Sequence, residues 1–189
     1  MHEPPARYFD RKFQLEAAKI LPGQYHAAAA DMVIVTVLGS CVSACLWDPV
    51  RRIGGMNHFM LPGAGDSARL GVYAMEMVMN QMLKLGADKR RLVAKVFGGA
   101  NVLEGMEALN IGDQNSEFVL GFLHEEEIPV LAQDLQGNSA RKVYFFPRTG
   151  KVLVKRLGGM RNDTVERRER DYLRSLDPRG GEVEIFQRP

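Results

Sequence analysis

The sequence is short of the residues that mark several protein classes. Its 189 positions include only two cysteines, one tryptophan and four histidines. Two cysteines cannot build the disulfide framework of a small secreted scaffold. No apolar run approaches the ~20 residues needed to cross a bilayer, and runs such as MVIVTVLG at 32–39 stop far short of it. A surplus of one charge is missing too. The 25 basic and 23 acidic side chains leave a formal charge of +2, too small and too evenly spread to signal nucleic acid. The opening MHEPPARYFDRKFQ has no apolar core and does not read as a secretory signal. Neither nucleic-acid binding nor membrane insertion is expected, and the expected compartment is the cytoplasm.

The 46% apolar and 25% charged residues are ordinary for a globular chain. The length suits one substantial core rather than two. AAKILPGQYHAAAADMVIVTVLGS reads as two extended runs broken at Pro22 and Gly23. Residues 41–47 read as a strand ended by Asp48-Pro49, and 53–61 as its hairpin partner across DPVRR, which brings Cys41 towards His58. A helix is predicted over 67–85 with Leu70, Ala74, Met77, Val78, Met82 and Leu85 on its apolar face and Gly86 as its cap. A strand at 91–97 ends in Gly98-Gly99. A short helix is expected over 101–108, and a longer one over 113–127 turns Phe118, Phe122 and Leu123 inward. Strands at 129–134, 141–146 and 152–157 follow, the last two joined by PRTGK. The expected fold is α/β, a single-domain layered sandwich of sheet and helices over residues 1–159. Residues 160–189 carry fourteen charges and read as an exposed charged extension with a helix near 163–175.

The chemistry concentrates in TVLGSCVSACLWD, residues 36–48, which holds both cysteines. On an extended strand, positions four apart are separated by roughly 13 Å. A disulfide needs Cα atoms within about 7 Å, and two thiolates on one zinc must nearly touch, so neither a disulfide nor a shared metal is expected. Cys41 follows Leu38-Gly39-Ser40, a turn whose glycine allows close approach of a ligand and whose amides can face a carbonyl oxygen. An unassisted thiol is only about 3% ionised at neutral pH, so a nucleophilic Cys41 needs a base. His58 is the one histidine set in an apolar strand; His2, His26 and His124 lie in polar surroundings. On spacing and composition alone a buried structural pair accounts for these residues better than a catalytic one does. Cys45 lacks the glycine turn and reads as packing.

TVLGSCVSACLWD followed by GGMNHFMLPG resembles the signature of the chemoreceptor glutamine deamidases, the CheD chemotaxis family. KILPGQY, KVFGGANV, NIGDQN, QGNSARKV and TGKVLVKRL continue the resemblance in order over roughly residues 8–158. It implies an α/β sandwich similar to bacterial deamidating toxins and hydrolysis of particular glutamine side chains on the cytoplasmic helices of chemoreceptors, the methyl-accepting chemotaxis proteins, to glutamate, with release of ammonia. It implies Cys41 as nucleophile and His58 as general base, with amides near Gly39, Ser40 and Cys41 holding the oxyanion and no metal or organic cofactor. The family's third position is a threonine ahead of the cysteine. Thr36 is the threonine there, and since a one-residue shift reverses a strand's faces, a site role and a plain strand-forming role both stand. Gly98, Gly99 and Asn101 match a motif expected to border the pocket, and a turn with helix entry is their alternative; Asn115 and Arg141 are weaker candidates. QGNSAR keeps one glycine, Gly137, where two are expected. The resemblance further implies association with the CheC chemotaxis phosphatase, which makes a binding module the second hypothesis; a side activity on glutamyl methyl esters would use the same thiolate. An unrelated thiol hydrolase such as a peptidase is the third.

Overall fold

Side-chain alternation along the central strands divides the apolar residues between two cores. The computed structural model describes residues 4–61, 67–102, 110–158 and 161–176. Its elements run β1 (Ala6–Asp10), β2 (Leu15–Lys19), β3 (Tyr25–Ala28), β4 (Met32–Leu38), β5 (Val42–Asp48), β6 (Ile53–Asn57), α1 (Ser67–Lys84), β7 (Val93–Gly98), α2 (Ile111–Glu125), β8 (Val130–Leu135), β9 (Arg141–Phe146), β10 (Lys151–Arg156) and α3 (Arg161–Ser175). The strands form two mixed five-stranded sheets, ordered β1-β2-β4-β9-β10 and β3-β6-β5-β7-β8. The α/β expectation is met. Among the described residues no helix is long and apolar enough to cross a membrane.

On β5, Val42, Ala44 and Leu46 face α1 and α2, where they join Met75, Val78, Met82, Val119 and Leu123. Cys41 and Cys45 face the opposite way, into the core between the sheets, with Ile34 and Leu38 of β4, Met56 of β6 and Val143 and Phe145 of β9. The layers are thus helices, sheet, sheet. The predicted hairpin forms, with Cys45 opposite Met56 and Asp48 opposite Ile53.

Four details differ from the sequence expectations. The segment 15–38 holds three strands rather than two extended runs, and β1 pairs with β2 in the polar lead. Four of the five β1 residues are exposed, so no apolar alternation announced it. The buried face of α1 carries Gly71, Met75, Val78 and Met82, while Leu70 and Leu85 are 41% and 46% exposed. The face turns because the missing side chain of Gly71 admits the ring of Phe118. The extension is not simply exposed: α3 covers the predicted helix, and Val165 and Glu169 on it are buried. The short helix expected over 101–108 falls mostly outside the described residues, as do His2 and residues 177–189.

Asp48 fastens the end of the hairpin. Its fully buried carboxylate accepts from the amides of Val50, Arg51 and Asp88 and pairs with Arg91 at 2.8 Å. Burial alone would raise this carboxyl, but the Arg91 guanidinium and the three amides outweigh burial and hold it below the usual carboxylate range. A depressed carboxyl stabilises the fold above its unfolded-state value and loses that contribution as pH falls. Wild-type stability should therefore decline as pH drops below about 5, and Asp48→Asn should be less stable at neutral pH with a shallower acid decline, as read from denaturation midpoints across pH.

Candidate active site

Three consecutive peptide units set the geometry of the site. The Gly39 carbonyl accepts from the Ala100 amide at 2.7 Å, the Ser40 carbonyl from Asn115 Nδ2 at 2.8 Å, and the Cys41 carbonyl from the Gly99 amide at 2.8 Å. In a trans peptide the carbonyl and the following N–H point oppositely. Pinning the first two carbonyls to the Gly98–Ala100 turn and α2 therefore turns the amides of Ser40 and Cys41 to the other side. Gly98 and Gly99 form that turn at φ of 115° and 67°, conformations that favour glycine. A Cβ on Gly98 would lie 2.1 Å from the Cys41 carbonyl oxygen.

On that other side sits Glu169 of α3, wholly buried. Its carboxylate accepts from the amides of Gly39 at 2.8 Å, Ser40 at 2.7 Å and Cys41 at 3.3 Å, and from Ser40 Oγ at 2.7 Å. Successive amides converging on one carboxylate make an anion nest.

Thr36, His58 and Cys41 meet at the end of the inter-sheet core. Thr36 shares the inward face of β4 with Ile34 and Leu38, which settles its orientation. Its hydroxyl donates to the Ile20 carbonyl at 2.8 Å and lies 2.7 Å from His58 Nδ1. With the hydroxyl proton given to Ile20, Thr36 Oγ1 accepts from Nδ1–H. The other ring nitrogen, Nε2, is then the basic one, and it is buried without a hydrogen-bond partner. His58 lies just past β6, where its backbone pairs with the Gly23-Gln24 turn: its amide donates to the Gln24 carbonyl and its carbonyl accepts from the Gly23 amide. Cys41, His58 and Glu169 each bring a potential ligand atom within 4.8 Å of the others. Both Glu169 oxygens are already engaged by N–H and O–H donors, so the arrangement is a nested carboxylate beside a thiol and an imidazole.

Electrostatics leaves the pair neutral. Burial pushes the Cys41 thiol well up, the Glu169 carboxylate pushes it further, and Arg168 opposes them weakly. Burial drives His58 well down, aided by the Arg168 charge. Cys45 is a free, buried thiol raised by desolvation.

Of the candidates named from sequence, Thr36, Gly39, Ser40, Cys41, His58, Gly98 and Gly99 come together. Asn101 does not join them by its side chain: it is exposed, and its amide donates to the Gly137 carbonyl. Asn115 is buried and bridges the site, accepting from the Leu61 amide as it donates to Ser40. Arg141 is buried behind the turn and donates to the carbonyls of Gly98, Asp134 and Gln136. Glu169 is the residue the sequence reading missed. Its signal was the spacing of Val165, Tyr172, Leu173 and Leu176, an apolar stripe with one carboxylate inside it.

A thiol, an imidazole anchored through one nitrogen and amides converging beside them form the residue set of a thiol-dependent amidohydrolase on a two-sheet α/β scaffold. A family model described as CheD chemotactic sensory transduction matches residues 60–156. The chain is 54% identical over 193 residues to the probable chemoreceptor glutamine deamidase CheD 1 of Dechloromonas aromatica, covering 98% of this chain and 96% of that one. It is 53% identical to the probable chemoreceptor glutamine deamidase CheD of Janthinobacterium sp. (strain Marseille), covering 95% and 93%, and 54% identical to that of Methylobacillus flagellatus, covering 95% and 94%. A crystal structure of the Bacillus licheniformis hypothetical protein YfiH aligns with 60% of this chain and 49% of its own at 16% identity and a TM-score of 0.39, a likeness too slight to bear on function. The chain belongs to the CheD family.

Replacing Thr36 tests the histidine anchor. Thr36→Val leaves the buried Nδ1–H without an acceptor and should cost about 1–3 kcal/mol, whereas Thr36→Ser should restore most of it. Nitrogen NMR of the imidazole should show the Nδ1–H tautomer in wild type and in Thr36→Ser, and a tautomer mixture in Thr36→Val.

Proposed function

We propose that this protein is a chemoreceptor glutamine deamidase that converts glutamine side chains of methyl-accepting chemotaxis proteins to glutamate in the cytoplasm. The observation that carries this reading is the unpartnered His58 Nε2, fixed as the basic nitrogen by Thr36 beside the one thiol flanked by convergent amides. The names of the relatives, similar over nearly their whole length, supply the substrate. In the reaction Cys41 is the nucleophile and His58 the base that takes its proton. The thiolate attacks the carboxamide carbon, and the amides of Gly39, Ser40 and Cys41 receive the developing oxyanion. His58, now protonated, gives its proton to the departing nitrogen, the C–N bond breaks and ammonia leaves a thioester. Water activated by His58 attacks that thioester, releasing glutamate and the thiol. Thr36 is a positioning residue, acting through the imidazole. Gly98 and Gly99 contribute by aiming the amides rather than by touching substrate.

Association with the CheC chemotaxis phosphatase is a separate role, requiring neither the thiol nor the imidazole. Incubation with a purified receptor cytoplasmic fragment, followed by peptide mass spectrometry, separates the two. Wild type should convert particular glutamines to glutamate, and Cys41→Ala and His58→Ala should slow conversion by about a hundredfold or more. Equal conversion by Cys41→Ala would end the enzymatic reading; retained phosphatase binding by that variant would leave the binding role intact.

A further inference from the structure

Helix α3 is amphipathic, yet the side chain at the centre of its inward stripe is charged. Val165 packs on Ala140 and Leu157, Tyr172 and Leu173 pack on the inter-sheet core, and between them Glu169 enters the nest beside the Cys41 thiol. The absence of a side chain on Gly39 permits this, because a Cβ there would lie 2.8 Å from Glu169 Oε2. Arg168 adds a hydrogen bond of 2.6 Å to the Val37 carbonyl. The helix is laid on the molecule rather than built into it. Among the described residues no single strand approaches its backbone as extensively as strands approach those of α1 and α2, and clefts open beside it at either end, one lined by Gly23, Tyr172 and Leu176, the other by Val37, Thr164 and Val165.

A glutamate carried on a helix, with its carboxylate against the nucleophile's own amides, is chemically the product of deamidating a glutamine carried on a helix. We infer that α3 is a built-in product mimic, seated where a glutamine-bearing helix of the substrate has to lie, so that α3 must lift away before a substrate can be attacked. The inference rests on the deamidase reading for the identity of the mimicked group, but the occlusion of Cys41 stands apart from it. Two consequences follow. While α3 is docked the oxyanion amides are filled, and the carboxylate opposes ionisation of Cys41. Among the described residues the groups facing that thiol are Glu169, Arg168 and Tyr172 of α3 and His58 beyond β6, and burial raises the Tyr172 phenol to about 12, so of these Glu169 alone brings negative charge.

The test uses the full chain in three variants. Glu169→Ala empties the nest, Val165→Asp undocks the helix by forcing a charge into its buried contact, and Glu169→Gln offers the nucleophile an internal amide. Peptide-resolved alkylation of Cys41 by iodoacetamide should speed up roughly tenfold in the first two, as the competent state rises from a minor to a major population, and in Glu169→Ala its pH midpoint should move to lower pH. Both should also deamidate a receptor fragment faster than wild type. In Glu169→Gln, mass spectrometry should find the introduced glutamine converted back to glutamate, and the conversion should cease when Cys41→Ala is added. Unchanged alkylation in both Glu169→Ala and Val165→Asp overturns the occlusion. Persistence of the introduced amide in Glu169→Gln, beside a Cys41 that does convert receptor glutamines, overturns the product-mimic geometry. Faster alkylation with every receptor glutamine left intact would keep the occlusion and remove the deamidase reading instead.

Discussion

The site depends on the fixing of two carbonyls. Once Ala100 and Asn115 hold the Gly39 and Ser40 oxygens, planarity of the peptide unit leaves the next amides no direction but the side on which Glu169 lies. The convergence is made by backbone N–H groups rather than by side chains. The support lies one layer back, in the positive-φ turn at Gly98-Gly99, in Asn115 of α2 and in Arg141, whose guanidinium ties Gly98 to the Asp134–Gln136 backbone. Both sheets and α2 thus converge on a tripeptide that belongs to no strand.

The histidine is organised in the same way, from the backbone outward. Thr36 lies on one sheet and His58 follows a strand of the other, so the buried hydrogen bond between them spans the inter-sheet core. The Ile20 carbonyl fixes which way the threonine proton points, and through it which imidazole nitrogen is basic. Backbone polarity two contacts away therefore decides the protonation pattern beside the thiol.

Much of this was legible in the chain because it is local. The hairpin from Cys41 to His58 follows from Asp48-Pro49 between two apolar runs, and Gly86 ends α1 where its periodicity stops. The ordered motifs singled out Cys41 and His58 beyond what composition allowed. What escaped was non-local. The face of Thr36 depends on the pairing of β4 with β2 and β9, and strand alternation alone leaves either face open. β1 has almost nothing buried to betray it, and the turn of α1 is dictated by the Phe118 ring reaching Gly71 from another helix. Asn101 followed the glycine turn in sequence but points its side chain to solvent. Glu169 was concealed by its company, since one buried carboxylate among fourteen charges looks like any solvated residue until the amides that receive it are located.

Only residues 157–160 separate the end of β10 from the start of α3. So short a tether holds the helix at an effective local concentration of about millimolar or more, whatever its intrinsic affinity for the groove. A dilute soluble helix competes poorly against that. A partner that presents many such helices together competes on better terms, so the length of this connection sets how crowded that partner must be before the groove changes hands.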